Sequence, residues 1–332
     1  MSLISQWVDN TLEATGMDAV DALRAFFLLA AATLTPTPRM QTISISIPTP
    51  LRSRFLTYGP RATSASTSTS SAPPNAQNPS DESKGFLDYL ATWQVPHSYF
   101  THFYVASVLS SVFWVVQLLS RGVMFQAITS RVSEEHQRRS MSLTQLVICC
   151  ALLAIQGSRR LWESFIFSKP SSSQMWFMHW LLGLGFYLAA GVAIWIEGSG
   201  ALLTNKLNIA HLQMTNAPSL RTFVLIPLFL VASGLQHDSH HYLFSLKKYT
   251  LPEHPMFRGV VCPHYGAECI VYLSLALLAA PQGELVNKTM LSCLAFVAVN
   301  LGLTARNTKQ WYAQKFGKDS VQDWWLMIPY VY

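Results

Sequence analysis

Charge is what this sequence has least of. Asp, Glu, Lys and Arg make up 12% of its 332 residues, about half the share of an average soluble domain. The shortage is concentrated: none of the four occurs from Tyr89 to Ser120, from Ser140 to Ser158, or from Pro170 to Ile196. About 20 apolar residues in a helix cross roughly 30 Å of hydrocarbon, and these runs are 32, 19 and 27 residues long. They exclude a pair of soluble domains and argue against a nucleic-acid binder. Cysteine is scarce as well. Cys149, Cys150, Cys262, Cys269 and Cys293 include no CxxC pair, which excludes a disulfide scaffold and leaves them as small core residues. A basic leader is missing too: Asp9, Glu13, Asp18 and Asp21 precede the first apolar stretch, where a signal peptide needs positive charge.

What is present is apolar and aromatic, 50% and 12% of the chain respectively. The pattern predicts an all-α polytopic membrane protein with about seven spans, near 23–35, 100–120, 142–157, 175–196, 222–236, 268–283 and 289–305. The first, fifth and sixth are short and need flanking Tyr, Trp or snorkelling Arg. Three regions follow: an N-terminal segment 1–35 with the weakest span, a loop 36–92, and a membrane core 93–332. Within the loop, 62–83 reads ATSASTSTSSAPPNAQNPSDES; with almost nothing to bury, it is expected to be disordered. Loops 36–99, 158–174 and 237–264 plus the tail 306–332 carry fifteen Lys and Arg, the opposite side seven. That asymmetry predicts the first set in the cytosol with the C-terminus, and the N-terminus outside or luminal. The sequon Asn287-Lys288-Thr289 then falls on the luminal side, too close to a span to be glycosylated.

The informative polar residues lie from Gln236 to Glu268, which hold His237, His240, His241, His254 and His264 with Lys247, Lys248, Arg258 and Asp238. Ionisable groups near membrane depth usually line a site, and cations with many donors suit a phosphate-bearing cofactor; an ordinary solvated loop is the competing reading. His237-Asp238-Ser239-His240-His241 fits the HxxHH box of di-iron oxygenases, but such chemistry needs about eight ligands from several boxes, so no metal is expected. Gly183-Leu184-Gly185 sits inside an uncharged run with no preceding soluble strand. It reads as close helix packing, not a dinucleotide fingerprint.

Four separated pieces carry a family resemblance. Val95-Pro96-His97-Ser98-Tyr99-Phe100-Thr101-His102-Phe103-Tyr104, Ser158-Arg159-Arg160-Leu161-Trp162-Glu163 and Pro263-His264-Tyr265-Gly266-Ala267-Glu268 are three. Gln310-Trp311-Tyr312 with Lys315-Phe316 and the closing Ile328-Pro329-Tyr330-Val331-Tyr332 make the fourth. Together, over roughly 93–332, they resemble the steroid 5-alpha-reductase family, and its polyprenol reductase branch most closely.

The resemblance implies a seven-helix bundle with NADPH among the last helices at their cytosolic ends, in the endoplasmic reticulum membrane. It implies reduction of the α-isoprene double bond of a long-chain polyisoprenoid, polyprenol or polyprenal, toward the dolichol used in protein N-glycosylation. Gln236, His240, Lys247, His264, Glu268 and Tyr312 fall where the family places cofactor contacts. Steroid-reducing members use a Glu in the second span and a Tyr in the third; here those places hold His102 and, approximately, Gly157. His102 or Tyr104 is expected to supply the proton. The remaining readings are an isoprenoid-directed membrane methyltransferase, a 3-oxo-4-ene steroid reductase and, last, a di-iron oxygenase. Nucleic acid and an obligatory protein partner are not expected. The basic asymmetry predicts that a tag placed after Tyr332 is digested by protease added to sealed microsomes; a protected tag reverses the orientation.

Overall fold

The computed structural model describes residues 3–34, 92–170, 172–207, 219–247 and 250–331. The Ser/Thr/Pro-rich insert 62–83 and Lys248 lie outside the described residues. The described chain is mostly helical: α1 Leu3–Thr15, α2 Ala19–Leu34, α3 Thr101–Ser120, α4 Val123–Thr129, α5 Glu134–Arg138, α6 Leu143–Ile166, α7 Phe177–Ile196, α8 Ser199–Thr204, α9 Leu220–Ser245, α10 Pro263–Leu278 and α11 Lys288–Phe316. A helix covers all or most of every segment expected to span. Four are long and apolar enough to cross a membrane: 97–120 (α3 with the 3-10 turn before it), α7, α9 and α11. The other three fall short of that measure. With 16 residues each, α2 and α10 rise only about 24 Å, and α6 carries Arg159, Arg160 and Glu163 in its last turns.

Helix boundaries follow local chemistry. Ser142 caps α6 through a reciprocal capping box with Gln145, Pro263 opens α10 where a missing N–H costs nothing, and Ser219 caps α9. Asn287, fully buried, caps α11: its Oδ1 accepts from Met290 N at 2.8 Å while its Nδ2 donates to Ala279 O at 3.1 Å.

Packing joins α3 to α6 and α7, α9 to α10, α10 to α11, and α2 to α11. Small residues permit the close approaches. A Cβ on Gly183 would lie 2.6 Å from the Phe103 ring, and one on Gly157 2.6 Å from Ser107 Oγ. Gly183 thus serves helix packing, whereas Gly185 meets only Phe26 at 3.9 Å. Two short antiparallel strands, β1 Gln94–Pro96 and β2 Gln174–Trp176, pair Val95 with Met175 and so tie the starts of α3 and α7 together. The C-terminal tail straps the start of α10: Val261 N and Cys262 N donate to Trp325 O and Leu326 O, each at 2.9 Å, and Lys309 Nζ holds Trp324 O at 2.6 Å.

At the other end of the bundle, Glu197 Oε1 accepts from Arg24 and Thr289 N, both at 2.9 Å. Nearby, burial raises the pKa of Asp18, but hydrogen bonds from Asp21, His136 and Ser133 outweigh it and hold the carboxyl at about 2. Burial and double engagement of Asn287 predict no glycosidase-sensitive mass change in the protein. Asn287→Ala should cost about 1–2 kcal/mol through the lost cap, read as a lower melting midpoint in detergent.

Candidate active site

Helices α3, α6, α7, α9, α10 and α11 surround a cavity with about 890 Å³ of empty volume. Much of its wall is apolar, including Phe103, Leu182, Phe186, Phe296, Val297 and Leu301. Its polar members are Tyr104, Arg160, His179, Tyr187, Gln236, His240, Glu268 and Asn300, with Tyr265 and Tyr272. The cavity is therefore a mainly greasy volume with polar groups from all six helices gathered against it.

Those polar groups are wired together through α6. Its helical spacing puts Glu163 four residues after Arg159 and three after Arg160, so one carboxylate pairs with both guanidiniums. Glu163 is only 1% exposed. Its oxygens also meet His237 Nδ1 at 2.8 Å and His240 Nδ1 at 2.9 Å. Arg160 reaches His240 Nδ1 at 2.8 Å, donates to the Tyr104 hydroxyl, and lies 4.6 Å over the Tyr104 ring. Arg159 continues the network to Ser233 Oγ and Gln156 Oε1, both at 3.0 Å, and to Gln236. Gln156 Nε2 donates to Gln236 Oε1 at 2.9 Å and to Glu268 Oε2 at 3.2 Å, and Gln236 Nε2 donates to Glu268 as well. Buried charges are costly unless paired and hydrogen-bonded; here the partners are supplied on every side.

The expected site residues divide. Tyr104, Gln236, His240 and Glu268 line the cavity. His264, buried in the first turn of α10, stands with its ring centroid 5.3 Å from that of His240 but is not in the cavity wall. Lys247 is exposed beyond the end of α9, and Tyr312 packs in α11 against Trp311 and Phe316; neither lines the cavity. His102 is exposed, with its ring 4.4 Å from Tyr99 and 6.1 Å from Trp180. The cause is geometric: two residues along a helix turn through about 200°, so His102 and Tyr104 cannot both face the same cavity.

Sequence reasoning missed Gln156, Arg159, Arg160 and Glu163 as site residues. The available signal was a pair of arginines and a carboxylate at i, i+3 and i, i+4 directly after an uncharged run. His237 and His240 converge on Glu163, a carboxylate already paired with two guanidiniums, so this end of the HxxHH box makes hydrogen bonds to that carboxylate. Among the described residues, metal-like spacing occurs at Asp18, Asp21 and His136. There the Arg24 guanidinium already sits 3.2 Å from Asp21 and 3.3 Å from His136, supplying the positive charge.

Chemically, the arrangement offers a phenol whose oxygen accepts from a guanidinium, and an amide–carboxylate pair at Gln236 and Glu268. That pair can match a ligand carboxamide, which both donates and accepts.

Residues 186–332 match the family described as 3-oxo-5-alpha-steroid 4-dehydrogenase. That region contains α9, α10 and α11 and so supplies Gln236, His240 and Glu268. Similarity to individual proteins reaches further toward the N-terminus. The chain is 26% identical to polyprenal reductase 1 of Oryza sativa subsp. indica, over 75% of this chain and 83% of the relative. It is 26% identical to the polyprenal reductase of Saccharomyces cerevisiae, over 76% and 82%. Polyprenal reductase 2 of Oryza sativa subsp. japonica is 25% identical over 96% of this chain and its own full length.

If Glu163 is the hub of the buried charges, Glu163→Gln should destabilise the protein by about 3–5 kcal/mol, the usual cost of stranding buried charge. The measurement is thermal unfolding in detergent beside Glu134→Gln, an exposed control. Equal melting of the two variants would remove Glu163 from that role.

Proposed function

We propose that this protein is a membrane reductase that saturates the α-isoprene double bond of polyprenal, using a reduced nicotinamide cofactor. The family match and the polyprenal reductase relatives support an oxidoreductase acting on a carbon–carbon double bond. The observation that carries the reading is the cavity itself, apolar over much of its wall, with the Tyr104 hydroxyl held by Arg160 beside it. An isoprenoid suits the apolar wall, and its oxygenated end suits the polar group.

Chemistry favours the aldehyde over the alcohol. A hydride added to the β-carbon needs an electron sink, and a conjugated carbonyl oxygen provides one, whereas an allylic alcohol does not. Negative charge then grows on that oxygen, so a nearby donor stabilises the transition state. Tyr104 fills this role, because Arg160 already donates to its oxygen and leaves the phenolic proton directed elsewhere. Transfer of that proton leaves a phenolate against a guanidinium, a paired charge instead of an isolated one.

Gln236 and Glu268 fit the carboxamide of a nicotinamide, with donors and an acceptor at the cavity wall. When bound, the cofactor supplies the hydride. His240 and His264 stand on the same side of this reading, while Lys247 and Tyr312 are assigned no contact. NADPH is the cofactor proposed, and the endoplasmic reticulum membrane with a cytosolic C-terminus the location, so that cytosolic nucleotide reaches the site. The product is the saturated aldehyde on the way to dolichol for protein glycosylation.

A ketosteroid substrate is less favoured. Of the two positions that carry the steroid-branch pair, His102 is exposed and Gly157 packs against Ser107, so neither offers a donor to the cavity. The test is nicotinamide oxidation by purified protein given polyprenal, polyprenol or a 3-oxo-4-ene steroid separately; turnover with the steroid alone would overturn the assignment. Within that assay, Tyr104→Phe should lower kcat about 10²-fold or more, and His102→Phe should stay within about threefold of wild type, as expected for a residue outside the site. The opposite ranking would move the proton donor to His102.

A further inference from the structure

A second cavity, of about 1470 Å³ empty volume, adjoins the first. It lies between the start of α3, the end of α6 with the connection to α7, and the last turns of α9. Four residues line both cavities: Phe100, Tyr104, Arg160 and His240. The remainder of the second cavity is richer in polar side chains than the first, although Phe167, Leu243 and Phe244 also line it. It carries His97 and Thr101 at the start of α3, Glu163 and Ser164 on α6, and Ser168, Lys169 and Ser173 in the connection. Side chains of that kind can hold ordered water.

We infer that this polar vestibule is the proton inlet of the reaction, with Tyr104 as the gate between vestibule water and the substrate cavity. The inference rests on the reductase reading above and adds to it the source of the proton. Saturating a conjugated double bond consumes one hydride and one proton. The hydride electron pair forms the new C–H bond, the π pair moves to the carbonyl oxygen, and the phenolic proton of Tyr104 neutralises that oxygen. Return of the resulting enol to the aldehyde moves that proton to the α-carbon. One proton must then come back to the Tyr104 phenolate before another turnover.

The wall toward the substrate carries ionisable groups, Tyr187, His179 and Glu268 among them, but a proton lent by any of these must itself be replaced from water. Phe103 and Phe186 close that wall around Tyr104, with ring contacts from Phe100 at 5.6 Å and Tyr187 at 5.8 Å. Arg160 contacts the phenol oxygen, but guanidinium holds its protons at any physiological pH. On the vestibule side a water molecule can donate to the phenolate and pass hydroxide to bulk, next to Glu163, His240, His97 and Lys169. Arg160 is accordingly a positioning residue. It orients the phenolic proton and stabilises the phenolate without giving up a proton itself.

The test plugs the vestibule after folding. Thr101 lines it and touches neither substrate nor cofactor in the reading above. Thr101→Cys is made together with Cys150→Ser, the other four cysteines being buried. A charged, membrane-impermeant methanethiosulfonate should label Cys at 101 in sealed cytosol-side-out vesicles, seen by mass alone. Absence of labelling would show that the vestibule is not aqueous and overturn the proposal. Attachment of a methyl group should leave turnover near that of the unlabelled variant. A benzyl group should lower kcat about tenfold or more, the scale of a blocked proton transfer. The primary isotope effect from deuterated nicotinamide should then shrink toward one, and the solvent isotope effect should grow. Unchanged kcat at full benzyl labelling, or a loss seen only as a higher half-saturating nicotinamide concentration, would overturn the inlet and make the vestibule a cofactor passage or a bystander. Full activity of Tyr104→Phe would likewise overturn the gate, whereas no nicotinamide oxidation by the unlabelled protein with polyprenal would bring down the reductase reading beneath it, so the two failures are distinguishable.

Discussion

A carboxylate almost out of reach of water must be surrounded by donors or be neutralised, and Glu163 sets that condition for this end of the bundle. It is met by two arginines of its own helix and two histidines of α9. Because those partners must converge on one point, α6 and α9 are fixed in both depth and rotation. Arg160 extends the constraint to α3 through Tyr104, and Arg159 extends it to α10 through Gln236 and Glu268. Four helices are thus registered by one buried charge, and the cavity lies beside them.

The opposite end uses the same device on a smaller scale. Glu197 joins α2 to α11 through Arg24 and Thr289. Between these two polar ends the helices are held by shape. Hydrocarbon does not drive apolar helices together as water does, so association there depends on close packing and polar links. The seats of Gly183 under Phe103 and of Gly157 against Ser107 serve that need. They draw α7 and α6 onto α3, the helix that carries Tyr104. The tail serves the same site from outside the bundle, since its carbonyls hold the segment leading into α10 and therefore Glu268.

A consequence for the proposed catalysis is that the polar groups at the cavity are paired before any ligand arrives. The Tyr104 oxygen already has its guanidinium, and the Gln236–Glu268 pair is already oriented by Gln156. Preorganised donors need not rearrange as charge develops, which is where electrostatic catalysis gains over water. The apolar part of the wall strengthens those interactions by lowering the local polarity.

The amino-acid sequence alone determined the membrane class, the positions of the helical segments and the stretch that supplies Gln236, His240 and Glu268. Long uncharged runs and isolated polar residues are properties of composition, and the bilayer reads them one segment at a time. Helix rotation is different. In an uncharged segment such as α3, hydrophobicity does not mark which face turns inward, so His102 and Tyr104 are equivalent until neighbours choose between them. Tertiary structure made that choice through Arg160, which holds Tyr104 inward and leaves His102 exposed. It likewise left Lys247 and Tyr312 outside the cavity wall and brought Arg160 into it. The loop beyond α9 and the last turns of α11 lie near the site in sequence pattern, but the side chains at the wall are those that the buried charge of Glu163 draws together.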